Sequence, residues 1–238
     1  MTTLYLFCFL SFLQFALSIQ MKNTSHQVFQ QTNKAGFYPE LDAFLNGLKP
    51  DMDRISQERR SELDSLSGWL REEEKKGGPI RLVFICTHNS RRSHFGQVWS
   101  AVAARKFGWK NVETFSGGTE ATACNPRSVA AFQRAGLKVE NPGGENPRYL
   151  VKMGEELPPL VCFSKKFSDP FNPQSAFAAV MTCTQADRAC PIVPGASYRI
   201  SIPYEDPKVS DGTPQEAATY DARCRQIAAE MMYVFSRK

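Results

Sequence analysis

The 238-residue sequence has no run of Lys and Arg dense enough to form a nucleic-acid footprint, and its formal charge of +5 names no partner. It contains no Cys-x2-Cys knuckle, and no His stands near the spaced pair Cys183 and Cys190, which argues against zinc. No metal and no other cofactor are therefore expected. Nor is any apolar run long and clean enough for a confident membrane span. The richest stretch, Leu4 to Leu13, is short and interrupted by Ser11 and followed by Gln14. No Lys or Arg precedes it, although a secretory signal normally carries one.

Residues 1–20 nevertheless differ from the rest. Ala16-Leu17-Ser18 resembles a small-x-small cleavage site, and Met21-Lys22 would serve as a start in its own right. Residues 1–20 thus read as a signal-like segment, a spurious upstream extension, or an uncleaved anchor. A start at Met21 implies the cytoplasm; a true signal implies a periplasmic or secreted protein. Residues 21–38 read as a disordered lead-in. Residues 39–78 read as a helical extension, with Ser56 as a cap and Leu63, Leu66, Trp69 and Leu70 at helical spacing before Gly77-Gly78-Pro79. That segment is expected to lay its apolar face on the domain that follows. The remaining residues, 79–238, are the expected catalytic domain, with no stable membrane association.

Within that domain strands and helices alternate. Ile80–Ile85 is an unbroken apolar run, as a strand buried on both faces requires. Ser93–Phe107 follows as a helix, Val112–Phe115 as a strand, and Asn125-Pro126 opens a helix to about Arg134. Phe177–Thr182 and Tyr198–Ile202 are further strands, and Pro214–Phe235 is a closing helix. This pattern predicts an α/β fold: a doubly wound, Rossmann-like parallel sheet with helices on both faces. Residues 141–172, rich in Pro and Gly, read as an inserted hairpin that extends the sheet or shields the site.

The feature that carries chemistry is Cys86-Thr87-His88-Asn89-Ser90-Arg91-Arg92-Ser93. A thiol leaving a strand, five loop residues, then Arg at a helix start can form an oxyanion trap with its own nucleophile. The N–H groups of Thr87, His88, Asn89, Ser90 and Arg91 can curl inward, and the Arg92 guanidinium can grip two oxygens of a tetrahedral anion. The same field favours the thiolate, the reactive form of cysteine. Cores have little use for two arginines beside a buried Cys. Ligands of such sheets sit beyond the carboxyl ends of the strands, where Cys86, Ser116, Cys183 and Asp206 all fall.

Asp206 precedes Pro207 and reads either as an acid that protonates a departing oxygen, with Glu205 as its rival, or as an ordinary Asp-Pro turn. Cys183 and Cys190 stand seven apart, two helical turns or about 10 Å, which exceeds disulfide reach unless the segment bends. They read as a thiol switch or as two buried apolar residues.

The loop, the turn Ser116-Gly117-Gly118-Thr119, Asn125-Pro126, the Cys183/Cys190-Pro191 pair and Asp206-Pro207 together resemble the low-molecular-weight protein tyrosine phosphatase superfamily. Within it, the chain is most similar to the thioredoxin-coupled arsenate reductases. The chain departs from the family at His88, where Gly is usual, and at Arg91, where a second Cys is common. Lys208 and Val209 follow Asp206-Pro207 in place of the aromatic residues of many tyrosine phosphatases. The resemblance implies that Cys86 attacks arsenate held by the loop and Arg92, with Ser93 stabilising the thiolate and Asp206 protonating the departing oxygen. It further implies a disulfide relay from Cys86 to Cys183 to Cys190, reduced by a thioredoxin-like dithiol. The alternative it implies is phosphomonoester hydrolysis through a Cys86 phosphoryl intermediate. A third reading, an inactive oxyanion-binding protein, is prompted by His88 and Arg91.

Overall fold

The structure, a computed structural model, describes residues 36–238. The signal-like segment 1–20 and residues 21–35 of the expected lead-in lie outside the described residues. Phe37 and Tyr38, expected in that lead-in, are instead buried at the start of the packed chain. The described chain opens with three helices, α1 (Pro39–Asn46), α2 (Lys49–Asp53) and α3 (Gln57–Lys76). Helix α3 begins where Ser56 Oγ accepts the Arg59 N–H at 3.2 Å and stops at Gly77, whose φ of 75° suits a residue without a side chain. Its Leu63, Leu66 and Leu70 share one face and are fully buried. Each such leucine contributes about 1.5–3 kcal/mol of transfer free energy.

The segment after Gly78 alternates β1 (Ile80–Cys86), α4 (Arg92–Lys106), β2 (Val112–Gly118) and α5 (Pro126–Arg134). A second group of strands follows, β3 (Lys138–Glu140), β4 (Tyr149–Lys152) and β5 (Leu160–Cys162). The chain then returns through β6 (Phe177–Met181), α6 (Thr184–Ala189) and β7 (Ala196–Ser201). A 3₁₀ turn (Pro207–Ser210) and α7 (Glu216–Ser236) complete it. The main sheet has the order β2-β1-β6-β7, with every pair parallel. Chain order therefore reverses at β1, and the crevice beyond its carboxyl end is a topological switch point.

Both faces of β1 are covered, which explains its unbroken apolar sequence. Leu82 and Phe84 join the large core that includes residues of α1, α3, α4, α5 and α7. Val83 and Ile85 point into a smaller cluster with Cys86, Phe177, Met181, Cys183 and Ala186 of α6. Register levels the strand ends, pairing Cys86 with Gly118, Ile85 with Met181, and Met181 with Ser201.

The strands of the inserted region do not join this sheet, and the region meets it at an isolated parallel bridge between Lys166 and Gly118 of β2. Strands β3, β4 and β5 form a separate antiparallel sheet, with Val139 opposite Val151 and Leu150 opposite Val161. It starts at Lys138, before the expected insertion. The segment leaving it runs beside β2, where Gly118 N donates to Lys165 O at 2.9 Å and Phe167 N donates to Gly118 O at 2.9 Å. Among the described residues no helix is long and apolar enough to cross a membrane.

Candidate active site

Residues 87–91 connect β1 to α4 as a loop with its carbonyls turned outward. Cys86 O accepts from Thr119 N, Thr87 O from Glu120 N, Ser90 O from Asn125 N and Arg91 O from Phe95 N. His88 O accepts from the hydroxyls of Ser164 at 3.0 Å and Thr122 at 3.2 Å, and Asn89 O faces the His94 ring at 2.9 Å. In a trans peptide the N–H lies opposite the C=O. Outward carbonyls at 86–91 therefore turn the N–H groups of 87–92 toward the middle of the loop, a geometry suited to an anion at a helix start.

The tight path needs one residue in the left-handed region, and Asn89 takes it with φ 45°. Asparagine tolerates that region better than most residues. His88, standing where the resembled family has Gly, is not among the positive-φ residues, so no strain falls on it. Gly118 is required for a different reason: a Cβ there would meet Thr87 O at 2.7 Å and Asn89 N at 2.8 Å.

Cys86 Sγ lies 3.1 Å from Ser93 Oγ, and Asn89 Nδ2 donates to that same hydroxyl oxygen at 2.8 Å. Asn89 is held in this orientation because its Oδ1 accepts the Lys165 N–H at 2.9 Å. The Ser93 oxygen is thus already an acceptor, and its own proton is free to point at the sulfur. Cys86 is 3% exposed, yet its polar neighbours separate it from an ordinary core thiol. Elsewhere in the fold, burial pushes the Cys162 and Cys224 thiols up to about 12. Burial also drives Cys124 well above the usual range.

Arg92 opens α4 and is itself buried. Its Nη1 donates to Tyr204 O at 3.0 Å, its Nη2 to Asp206 Oδ2 at 2.8 Å, and its buried Nε–H has no protein partner. A buried donor without an acceptor costs about 1–3 kcal/mol, a cost that a bound oxyanion would offset. Asp206 caps a turn and also meets Arg92. Its Oδ1 accepts the Lys208 N–H of the 3₁₀ turn at 3.1 Å, while Oδ2 takes Arg92. Glu205, the rival acid, projects to Arg223, with its side chain 91% exposed.

The other loop side chains do not grip the central space. Arg91 is committed to the Tyr220 hydroxyl at 2.7 Å and to Asp211 at 3.4 Å. Ser90 Oγ donates to Ala123 O at 2.7 Å, and His88 lies 3.6 Å from Glu120. What these residues turn toward the centre of the loop is their peptide N–H groups. Ser116, placed on the rim by sequence, is fully buried and bonds His94 Nδ1 at 3.2 Å instead. Sequence reading missed His94, Ser164 and Lys165 as loop braces. The only local signal was the polar pair Ser93-His94 opening an apolar helix.

Cys183 caps α6. Its sulfur accepts the Ala186 N–H at 3.4 Å and lies 3.4 Å from Thr87 Oγ1, and it packs in the same cluster as Cys86. Cys190 ends α6 and is partly exposed. Arg199 of β7 clasps this helix, with Nη2 donating to Asp187 O at 2.8 Å and Nε to Cys190 O at 3.1 Å. A cavity of about 1030 Å³ opens above the loop, lined among others by His88, Arg92, Gln185, Asp206, Lys208 and Val209. Among the described residues no group of three His, Cys, Asp or Glu side chains could hold a metal ion.

No family model matches the chain. Curated relatives do. An arsenate reductase of Bacillus licheniformis is 25% identical over 158 residues, covering 65% of this chain and 94% of the relative. An arsenate reductase of Bacillus subtilis is 26% identical over 155 residues, covering 65% and 94%. Among solved structures, a low-molecular-weight protein tyrosine phosphatase from T. tengcongensis aligns with 67% of this chain and 99% of its own, at 15% identity and a TM-score of 0.45. A thioredoxin-dependent arsenate reductase of Corynebacterium glutamicum aligns with 80% and 96%, at 16% identity and a TM-score of 0.35.

Proposed function

We propose that the chain belongs to the low-molecular-weight phosphatase superfamily, as a relative of the arsenate reductases, and that it reduces arsenate to arsenite through three cysteines. Arsenate enters the ring of loop N–H groups and competes with Asp206 for the Arg92 guanidinium. The Cys86 thiolate, stabilised by the Ser93 hydroxyl, attacks arsenic, and Asp206 delivers a proton to the oxygen that leaves as water. Cys183 then attacks Cys86 Sγ. A Cys86–Cys183 disulfide forms, the S–As pair of electrons stays on arsenic, and arsenite departs. Cys190 attacks Cys183, Cys86 leaves as thiolate, and a thioredoxin-like dithiol reduces the Cys183–Cys190 disulfide.

The observation that carries this reading is Cys183: a buried thiol whose sulfur lies 3.4 Å from Thr87 Oγ1 of the nucleophile loop and accepts the Ala186 N–H. A phosphatase has no use for it. The third reading, an inactive oxyanion binder, gains nothing from His88 and Arg91, since neither strains the loop nor removes its inward N–H groups.

A second reading, phosphomonoester hydrolysis, is favoured by one feature. The cavity of about 1030 Å³ far exceeds what a single tetrahedral oxyanion fills. In that reaction water cleaves the Cys86 phosphoryl intermediate, with Asp206 acting as base. Turnover of arsenate and of an aryl phosphate, each with and without a dithiol, separates the two. Cys183→Ser is expected to abolish arsenite release and leave aryl phosphate hydrolysis intact. Arsenate reduction by that variant at the parental rate would sink the relay.

A further inference from the structure

Helix α3 reaches the active site through one side chain. Arg59 donates from Nη2 to Pro203 O at 3.2 Å, and its guanidinium carbon lies 4.7 Å from the centre of the Tyr204 ring. Arg59 Nε also donates to Glu230 Oε2 at 3.0 Å, and that same carboxylate oxygen accepts the Tyr204 hydroxyl at 2.8 Å. Glu230 is 3% exposed and Tyr204 5% exposed. A carboxyl group so deep needs partners, and it has them in the Arg59 guanidinium, the Tyr204 phenol and the Gln226 amide, whose Nε2 donates to Oε1 at 3.1 Å.

Tyr204 is also the residue whose carbonyl accepts Arg92 Nη1, and Asp206 follows two positions later. Pro203 and Tyr204 are therefore fixed on one side by the extension and grip the oxyanion arginine on the other. The other groups on this segment come from different elements: Arg223 of α7 on Glu205, Arg91 at 3.8 Å from Asp206, and the Lys208 N–H. The Tyr204 backbone is also tied to the sheet, its N–H donating to Thr182 O at 3.1 Å, so what Arg59 adds is the hold on the Pro203 carbonyl and on the face of the Tyr204 ring.

We propose that Arg59 is a positioning residue: from the N-terminal extension it fixes Pro203-Tyr204 and thereby sets Asp206 over the leaving oxygen. The proposal rests on Asp206 being the acid. It gives the extension a part in the chemistry beyond covering the core. Positioning matters because a displacement of about 1 Å at a proton donor costs about a hundredfold in rate.

The test is a double-mutant cycle on the full chain, using phenyl phosphate, whose leaving oxygen needs a proton, and p-nitrophenyl phosphate, whose leaving oxygen needs one far less. Asp206→Asn is expected to slow phenyl phosphate hydrolysis by about 10²–10⁴. Arg59→Met is expected to slow the same ester by about tenfold or more and p-nitrophenyl phosphate by much less. In the Asp206→Asn background Arg59→Met should add almost nothing. Arg59→Met leaves Glu230 buried without its cation. Where that variant does not fold, Arg59→Met with Glu230→Gln removes both charges and keeps a partner for the Tyr204 hydroxyl, with Glu230→Gln alone as reference. Equal losses on the two esters, or an undiminished loss in the Asp206→Asn background, overturn the assignment of Arg59. If Asp206→Asn leaves phenyl phosphate turnover unchanged, the acid assignment fails and this proposal falls with it; if the parent hydrolyses neither ester, the same cycle is run on arsenite release with a dithiol, where an Arg59→Met loss undiminished in the Asp206→Asn background overturns the assignment of Arg59.

Discussion

Replacing His94 by Gln tests the claim that the anion loop is braced from behind by a neutral imidazole. His94 is fully buried, and burial, with the Lys165 ammonium as a further cause, pushes it down to about 3 from an ordinary 6.5. Its neutral ring does two jobs: Nε2–H donates to Asn89 O and Nδ1 accepts from Ser116 Oγ. A protonated ring loses the acceptor and places a second cation near Lys165. The sign follows from a folded value below the unfolded one. The stability from holding His94 neutral is fully present above pH ~6.5 and is lost as pH falls from there toward ~3. Between pH ~7.5 and pH ~5.5 the loss from this one group is about 1.4 kcal/mol. Gln has one amide and cannot satisfy both partners at the imidazole spacing. The variant is therefore expected to be less stable at neutral pH by about 1–3 kcal/mol, the cost of one unmet buried polar group. It should lack the acid-dependent loss, so the gap to the parent narrows by about 1.4 kcal/mol at the lower pH. Urea unfolding of both chains at the two pH values measures this directly. Equal pH slopes for parent and variant would refute the role given to the ring.

Arg199→Ala should loosen the clasp on α6 without touching either thiol. Alkylation of Cys190 is expected to accelerate, and the Cys183–Cys190 potential to fall by about 20–60 mV, because unwinding then breaks about 1–3 kcal/mol less of hydrogen bonding. An unchanged potential in glutathione buffers would show that the clasp is idle. Gly118→Ala would drive a Cβ against Thr87 O and Asn89 N. Phosphate should then protect Cys86 from iodoacetamide at least about tenfold less well, and equal protection would count against the close approach described here.

The main sheet was legible because buried parallel strands announce themselves. Ile80–Ile85 and Phe177–Thr182 are unbroken apolar runs, and each is a central strand within one residue of the expected bounds. The helix after the loop begins at Arg92, one residue before the expected Ser93, because Arg92 already takes helical geometry as the loop closes. Strand β3 was not legible. Lys138-Val139-Glu140 has no apolar alternation beyond one Val and exists only because β4 pairs with it. The same holds for the site. Cys86 and Arg92 stand out by spacing, whereas Arg59, Lys165 and Arg199 act across 144, 76 and 12 residues of sequence, and no local pattern foretells such contacts.

The outward carbonyls of residues 86–91 have an effect on how this chain can vary. Apart from the Arg92 guanidinium, what would seize the tetrahedral guest is main chain, so the side groups at 88, 90 and 91 are released to serve their neighbours, as Arg91 does with Tyr220. A grasp spelled in peptide bonds survives a change of lettering that would ruin one spelled in side chains, provided Asn89 keeps its bend and Gly118 stays bare.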